Sequence, residues 1–128
     1  MKRFLIIAFL LFPLFATAQQ ELNQYGKAIK ECCPELYSGI RSMAVDEWGS
    51  DHEMILHQIN KQCEAYYEIN QWASKLTMDD TDKLDIYWNA VLEWSDETDA
   101  QVAIENGKAD WEMVWYTIQK QLEAMSQY

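Results

Sequence analysis

Between residues 109 and 126 the large apolar side chains fall at Trp111, Val114, Trp115, Ile118, Leu122 and Met125. Spacings of three and four place them on one face of an α-helix, which repeats about every 3.6 residues. A strand would need alternation with a period of two, and no segment of the chain shows it. The same helical spacing recurs upstream, separated by short polar links. The fold class expected is therefore all-α, a compact antiparallel bundle of four to five helices.

The punctuation between the stripes sets provisional boundaries. A first helix is expected over 21–33, with Leu22, Tyr25 and Ile29 on its buried face. Pro34 suits the first position of a second helix, because its missing N–H has no partner there in any case. Glu35 follows favourably against the helix dipole. This helix is expected to bury Tyr37, Ile40, Ala44 and Trp48 and to stop at Gly49. Ser50-Asp51-His52-Glu53 reads as a capping box that opens a long helix to about Leu76. Its stripe is Leu56, Ile59, Cys63, Tyr66 and Ala73, flanked by Ile55, Ile69 and Leu76.

After the polar link 77–80 a fourth helix starts near Thr81 and carries Leu84, Trp88, Val91 and Trp94. The run Ser95-Asp96-Glu97-Thr98-Asp99 then leaves two readings open. Thr98 with Gln101 can cap a new helix, whereas Val102 keeps phase with Val91 and would suit a continuous or kinked one. Either way Asn106-Gly107 ends it.

The amino terminus has a separate character. Lys2 and Arg3 precede an apolar run from Phe4 to Phe15, followed by Ala16-Thr17-Ala18. This is the layout of a secretory signal peptide over 1–18, and its apolar run falls short of the roughly 20 residues that span a bilayer. The mature protein is then one helical domain, 19–128, exported to the periplasm or the extracellular space of a bacterium and without stable membrane insertion. The whole chain holds ten Lys and Arg against 21 Asp and Glu, a formal charge of −11. The leader carries two of the basic residues and no acid, which leaves eight against 21 and a charge of −13. Such a surface repels phosphate backbones, so no nucleic-acid partner is expected. It steers a basic protein inward, although solubility alone explains it as well. All four Phe lie in the leader, so the aromatic interior must be built from Trp and Tyr.

Export permits a disulfide among Cys32, Cys33 and Cys63. A bridge from Cys63 to Cys32 or Cys33 is expected, since a bond between adjacent residues constrains the backbone tightly. It would close a loop of about 30 residues and contribute about 2–4 kcal/mol. The remaining thiol would be a buried, inert residue or a link to a second chain.

Constellations for chemistry are sparse. The two histidines, His52 and His57, do not share a helix face. Glu53 and His57 do, and they are weak metal candidates that need ligands from elsewhere. The acidic runs at 79–85 and 93–99 lack the glycine of an EF-hand loop. There is no nucleophile motif and no phosphate-binding glycine loop. No cofactor and no enzymatic activity are expected. The reading is an exported acidic protein-binding module, such as an inhibitor or immunity protein against a basic envelope toxin or hydrolase. Glu93, Trp94, Asp96, Glu97 and Asp99 are its candidate partner-binding residues, with Trp94 as anchor and the carboxylates as a steering rim. The alternative is a helical-bundle carrier of a small ligand or metal in the cell envelope.

Overall fold

Six helices, laid out by their caps, make up the computed structural model, which describes residues 21–128. The expected signal peptide 1–18 lies outside the described residues. Helix α1 spans Gln24–Cys32 and α2 spans Pro34–Trp48, with Pro34 in the first turn as its missing N–H suggests. The break between them is Cys33, whose backbone (φ −141°, ψ 68°) is no longer helical. Asn23, not Glu21, opens α1, because its side chain accepts the Gly26 N–H at 2.8 Å. Asn60 pins that start to the long helix, accepting the Asn23 N–H at 2.8 Å and donating to the Glu21 carbonyl at 3.1 Å.

Helix α3 covers His52–Ala73 and is capped by Asp51, whose carboxylate accepts the Met54 N–H at 3.2 Å. The expected capping box at Ser50 is thus displaced by one residue. An Asp accepts an orphan N–H as well as a Ser and adds favourable charge at the dipole's positive end, and the cap now serves Met54 in place of Glu53. After a turn in which the Asp80 carboxylate accepts the Thr77 N–H, α4 runs Thr81–Glu93. The open question at 95–99 is settled by a break. Helix α5, Ala100–Asn106, begins afresh behind Asp99, whose side chain accepts the Gln101 N–H at 2.9 Å. Val102, the residue that argued for continuity, is 40% exposed. Gly107 closes α5 in the left-handed region at φ 73°, as its position predicts. Helix α6, Trp111–Met125, follows the Asp110 cap.

The bundle is all-helical: among the described residues the sole extended pairing is a single bridge between Ser95 and Ala109. Helix α3 packs on α1, α2 and α6, α6 also packs on α4, and α5 leans on α2 and α4. Their shared core contains Ile40, Ala44, Ile59, Cys63, Ile69, Val91, Ala103, Trp111, Val114 and Ile118. Burying each large aliphatic side chain contributes about 1.5–3 kcal/mol, so these stripes supply the main driving force. Where α2 meets α5 there is no room for side chains. A Cβ at Gly39 would run into the Asn106 carbonyl, and one at Gly107 into that of Leu36. This close approach fixes the 107–110 segment against α2.

The cysteines depart from expectation. Cys32 and Cys33 are bonded to each other, and Cys63 is free. Cys63 lies on the middle of the inward stripe of α3 with no exposed surface, while Cys32 is exposed at the end of α1. Had α1 continued, the two neighbours would project about 100° apart. The non-helical turn at Cys33 is what lets them meet. Burial also pushes the Cys63 thiol up to about 12.

Candidate functional site

The break after α4 does more than end a helix. Trp94 caps α4 and accepts the Asp110 N–H on its carbonyl at 2.9 Å, and Ser95 bridges to Ala109. Two irregular segments, 94–97 and 108–110, are thereby held side by side and face α2 and the middle of α3. Between them lies a groove of about 720 Å³. Its apolar surface comes from Ile40, Met43, Trp94 and Ala109, and its polar lining includes Gln58, Gln62 and Ser95.

The charges around this groove are one-sided. Asp46 and Glu47 come from α2, Glu93 from the end of α4, Asp96 and Glu97 from the segment that follows it, and Asp110 from the α6 cap. Lys108 is the one cation in the lining. The ion pair found among the described residues, Lys120 with Glu123, lies elsewhere, so these carboxylates are not neutralised within the protein. Two of the six have internal duties: Glu97 accepts from the Asn106 amide at 3.2 Å, and Asp110 accepts from Gln62 and from the Met113 N–H. Asp46, Glu47, Glu93 and Asp96 have no hydrogen-bonded or ionic partner among the described residues. Like charges around a partly apolar cleft repel one another, and they also concentrate negative potential there.

Gln62 organises the floor. It is 7% exposed, yet every polar atom of its side chain is used. Its oxygen accepts the buried Trp111 N–H, and its amide donates to Asp110 at 3.0 Å and to Glu112 at 3.5 Å. A buried amide with all its groups paired orients the start of α6 without an unpaired atom. Gln62, Gln58, Glu47 and Asp110 also line a second groove of about 330 Å³, which carries on past Met54, His57, Lys61 and Glu112. The two grooves are neighbours that share Glu47, Gln58, Gln62 and Asp110.

Four of the five expected partner-binding residues meet in this groove: Glu93, Trp94, Asp96 and Glu97. Asp99 does not, because its carboxylate caps α5. Trp94 is part of the wall and does not project as an anchor. Its indole N–H donates to the Thr117 hydroxyl at 2.8 Å, which ties the ring to α6. Sequence reasoning missed Asp46, Glu47 and Asp110, which lie outside the 93–99 run and are brought to it by the packing of α2 and by the Asp110 N–H bond to the Trp94 carbonyl, and it gave no role to Ser95 within that run. Glu53 and His57 stand in the first turns of α3, and His57 edges the second groove. Among the described residues no set of three or more His, Cys, Asp or Glu is placed to hold a metal ion.

The interior rings largely pack on one another. Tyr66 meets Trp111 edge-on at 4.9 Å, Trp72 lies against Tyr87 and Trp115, and Tyr87 stacks on Trp88 at 5.0 Å. The Trp111 indole N–H donates to the Gly107 carbonyl at 3.0 Å, so even a ring with no exposed surface has its polar tip satisfied. Proton affinity is clearly displaced at Tyr37, Cys63, Tyr66 and Tyr87, each raised chiefly by desolvation. None of the four lines the groove. No helix of the described residues is long and apolar enough to cross a membrane. No family model, no curated protein and no solved structure matches the chain.

Proposed function

We propose that the protein is an exported, non-enzymatic binding module whose acidic groove receives a basic protein. An inhibitor or immunity protein against a basic toxin or hydrolase of the cell envelope fits this reading. The observation that carries it is the groove itself: six carboxylates from three parts of the chain around one cleft, with a single lysine among them. Four of the six make no internal bond that would account for their position. Assembling unpaired like charges works against folding, and a cationic partner offsets that repulsion.

The roles differ from a projecting hot spot on this chain. Trp94, held by Thr117, serves as wall, so the inserting side chain belongs to the partner. The carboxylates speed encounter and orient it, and the apolar strip of Ile40, Met43 and Trp94 contributes desolvated contact. The test is capture of envelope proteins from the native host on immobilised protein, at low and high salt. A basic protein released as salt rises is expected, since exposed charges are screened beyond a Debye length of about 8 Å at physiological ionic strength. Capture of an acidic protein, capture unaffected by salt, or no capture refutes the proposal.

A further inference from the structure

Resting on the reading of the groove as a basic-partner site, we propose that the group it takes is an arginine side chain borne by that partner. Three features favour a guanidinium over an ammonium. The unpartnered carboxylates come from two parts of the lining, Asp46 from α2 and Glu93 with Asp96 from the end of α4 and the residues after it. A planar fork with five N–H donors can serve two such acceptors at once, whereas an ammonium acts as a compact, strongly hydrated point charge. The same lining includes Met43 and Trp94, whose indole N–H is already bonded to Thr117. Apolar and aromatic surface of this kind suits the methylene stem and the weakly hydrated flat cation of arginine.

The third feature is Ser95. It belongs to the same lining, and its hydroxyl oxygen is buried with no hydrogen-bond partner among the described residues. Buried polar atoms are nearly always paired, so an orphan within a binding groove marks a place for a donor from outside. An arginine N–H supplies that donor, with the hydroxyl turning about its single side-chain torsion to accept it.

The test uses two labelled peptides of equal length and net charge, one carrying arginines and the other lysines at the same positions. Binding to the purified protein is read by fluorescence anisotropy, for the parent and for Ser95→Ala. The arginine peptide is expected to bind about tenfold more tightly, and Ser95→Ala to shrink that preference while leaving lysine-peptide affinity nearly unchanged. Equal affinity for the two peptides overturns the arginine inference and leaves the basic-partner reading standing. Binding of neither overturns both. An unchanged preference in Ser95→Ala removes the hydroxyl from the site. Competition by free arginine amide as strong as by the peptide overturns a partner-borne group in favour of a small ligand.

Discussion

Replacing Gln62 by Glu exchanges one heavy atom, the amide nitrogen for an oxygen, and tests how the floor shared by the two grooves is held. The new carboxylate can still accept the Trp111 N–H. What it loses is the amide that donates to Asp110 at 3.0 Å and Glu112 at 3.5 Å, and it sets a third negative charge beside them. Two unit charges 3.0 Å apart at an effective dielectric of 20 repel by about 5.5 kcal/mol, which sets the scale of the cost. The folded protein lowers that cost by keeping the new carboxyl protonated, when its single O–H can replace the bond to Asp110. Its folded pKa therefore lies above the unfolded value of about 4.3, and the folded state binds the extra proton between them. Stability relative to the parent is near normal below about pH 4 and falls by about 1.4 kcal/mol per pH unit until the folded pKa is reached. Gln62→Leu removes the acceptor outright and orphans the buried Trp111 N–H, at a cost of about 1–3 kcal/mol at every pH. Urea unfolding of parent and both variants at pH 4.0, 5.5 and 7.0 (chosen to bracket the window, by about 1.5 units) measures the difference. A Gln62→Glu penalty that does not vary with pH, or a neutral Gln62→Leu, would refute the proposed hydrogen bonding.

Three further outcomes follow from the packing. Gly39→Ala should cost more than about 3 kcal/mol in chemical denaturation, because its methyl meets the Asn106 backbone and not a movable side chain; Gly49→Ala, at φ 60° and ψ −108° with open space around it, should cost about 1–3 kcal/mol from backbone strain alone. Equal penalties would show that α2 and α5 do not approach so closely. Thiol titration of unreduced protein should find no reactive group in the native state and one after unfolding, since Cys63 is buried and its thiol is pushed up to about 12; two or three reactive thiols would contradict the Cys32–Cys33 pairing. Stability should fall as pH rises from 9 towards 12, because burial makes the folded state hold the protons of Cys63 and Tyr87 that the unfolded chain releases at 9.0 and 10.0. A flat alkaline profile would contradict their burial.

The helices were legible where the apolar spacing is unbroken. The stripe of α6 reads directly from Trp111, Val114 and Ile118, all without exposed surface. Gly107 and Pro34 punctuate the chain where their backbone chemistry requires. What periodicity could not show were choices between neighbours of similar chemistry. Ser50 and Asp51 can each cap α3, and Thr98 and Asp99 can each open α5; in both places the Asp does so. Val102 matches the phase of Val91 only if the axis is straight, and the turn at Trp94 removes that condition. The cysteine pairing turned on one non-helical residue, Cys33, whose conformation no spacing encodes. Of the groove, the local acidic run from Glu93 to Glu97 was visible in the sequence. The rest of its acidic lining was not, because Asp46 and Asp110 lie outside that run and reach it through the packing of α2 on α5 and the backbone bond from Asp110 to Trp94. The opposite roles of Glu97 and Asp99 in the same run, one in the groove and one capping a helix, likewise depend on where the chain turns.

The claim that the acidic groove is the docking surface is tested most directly by two variants of equal charge. In one, Asp46→Asn, Glu93→Gln and Asp96→Asn neutralise three lining carboxylates. In the other, Glu31→Gln, Glu68→Gln and Asp79→Asn neutralise three exposed carboxylates outside the lining. Affinity for the captured basic protein is measured for both at one ionic strength. The groove variant should lose about tenfold or more and the control less than about threefold, because only the former removes contacts as well as overall field. Equal losses would mean that net charge, and not this groove, draws the partner.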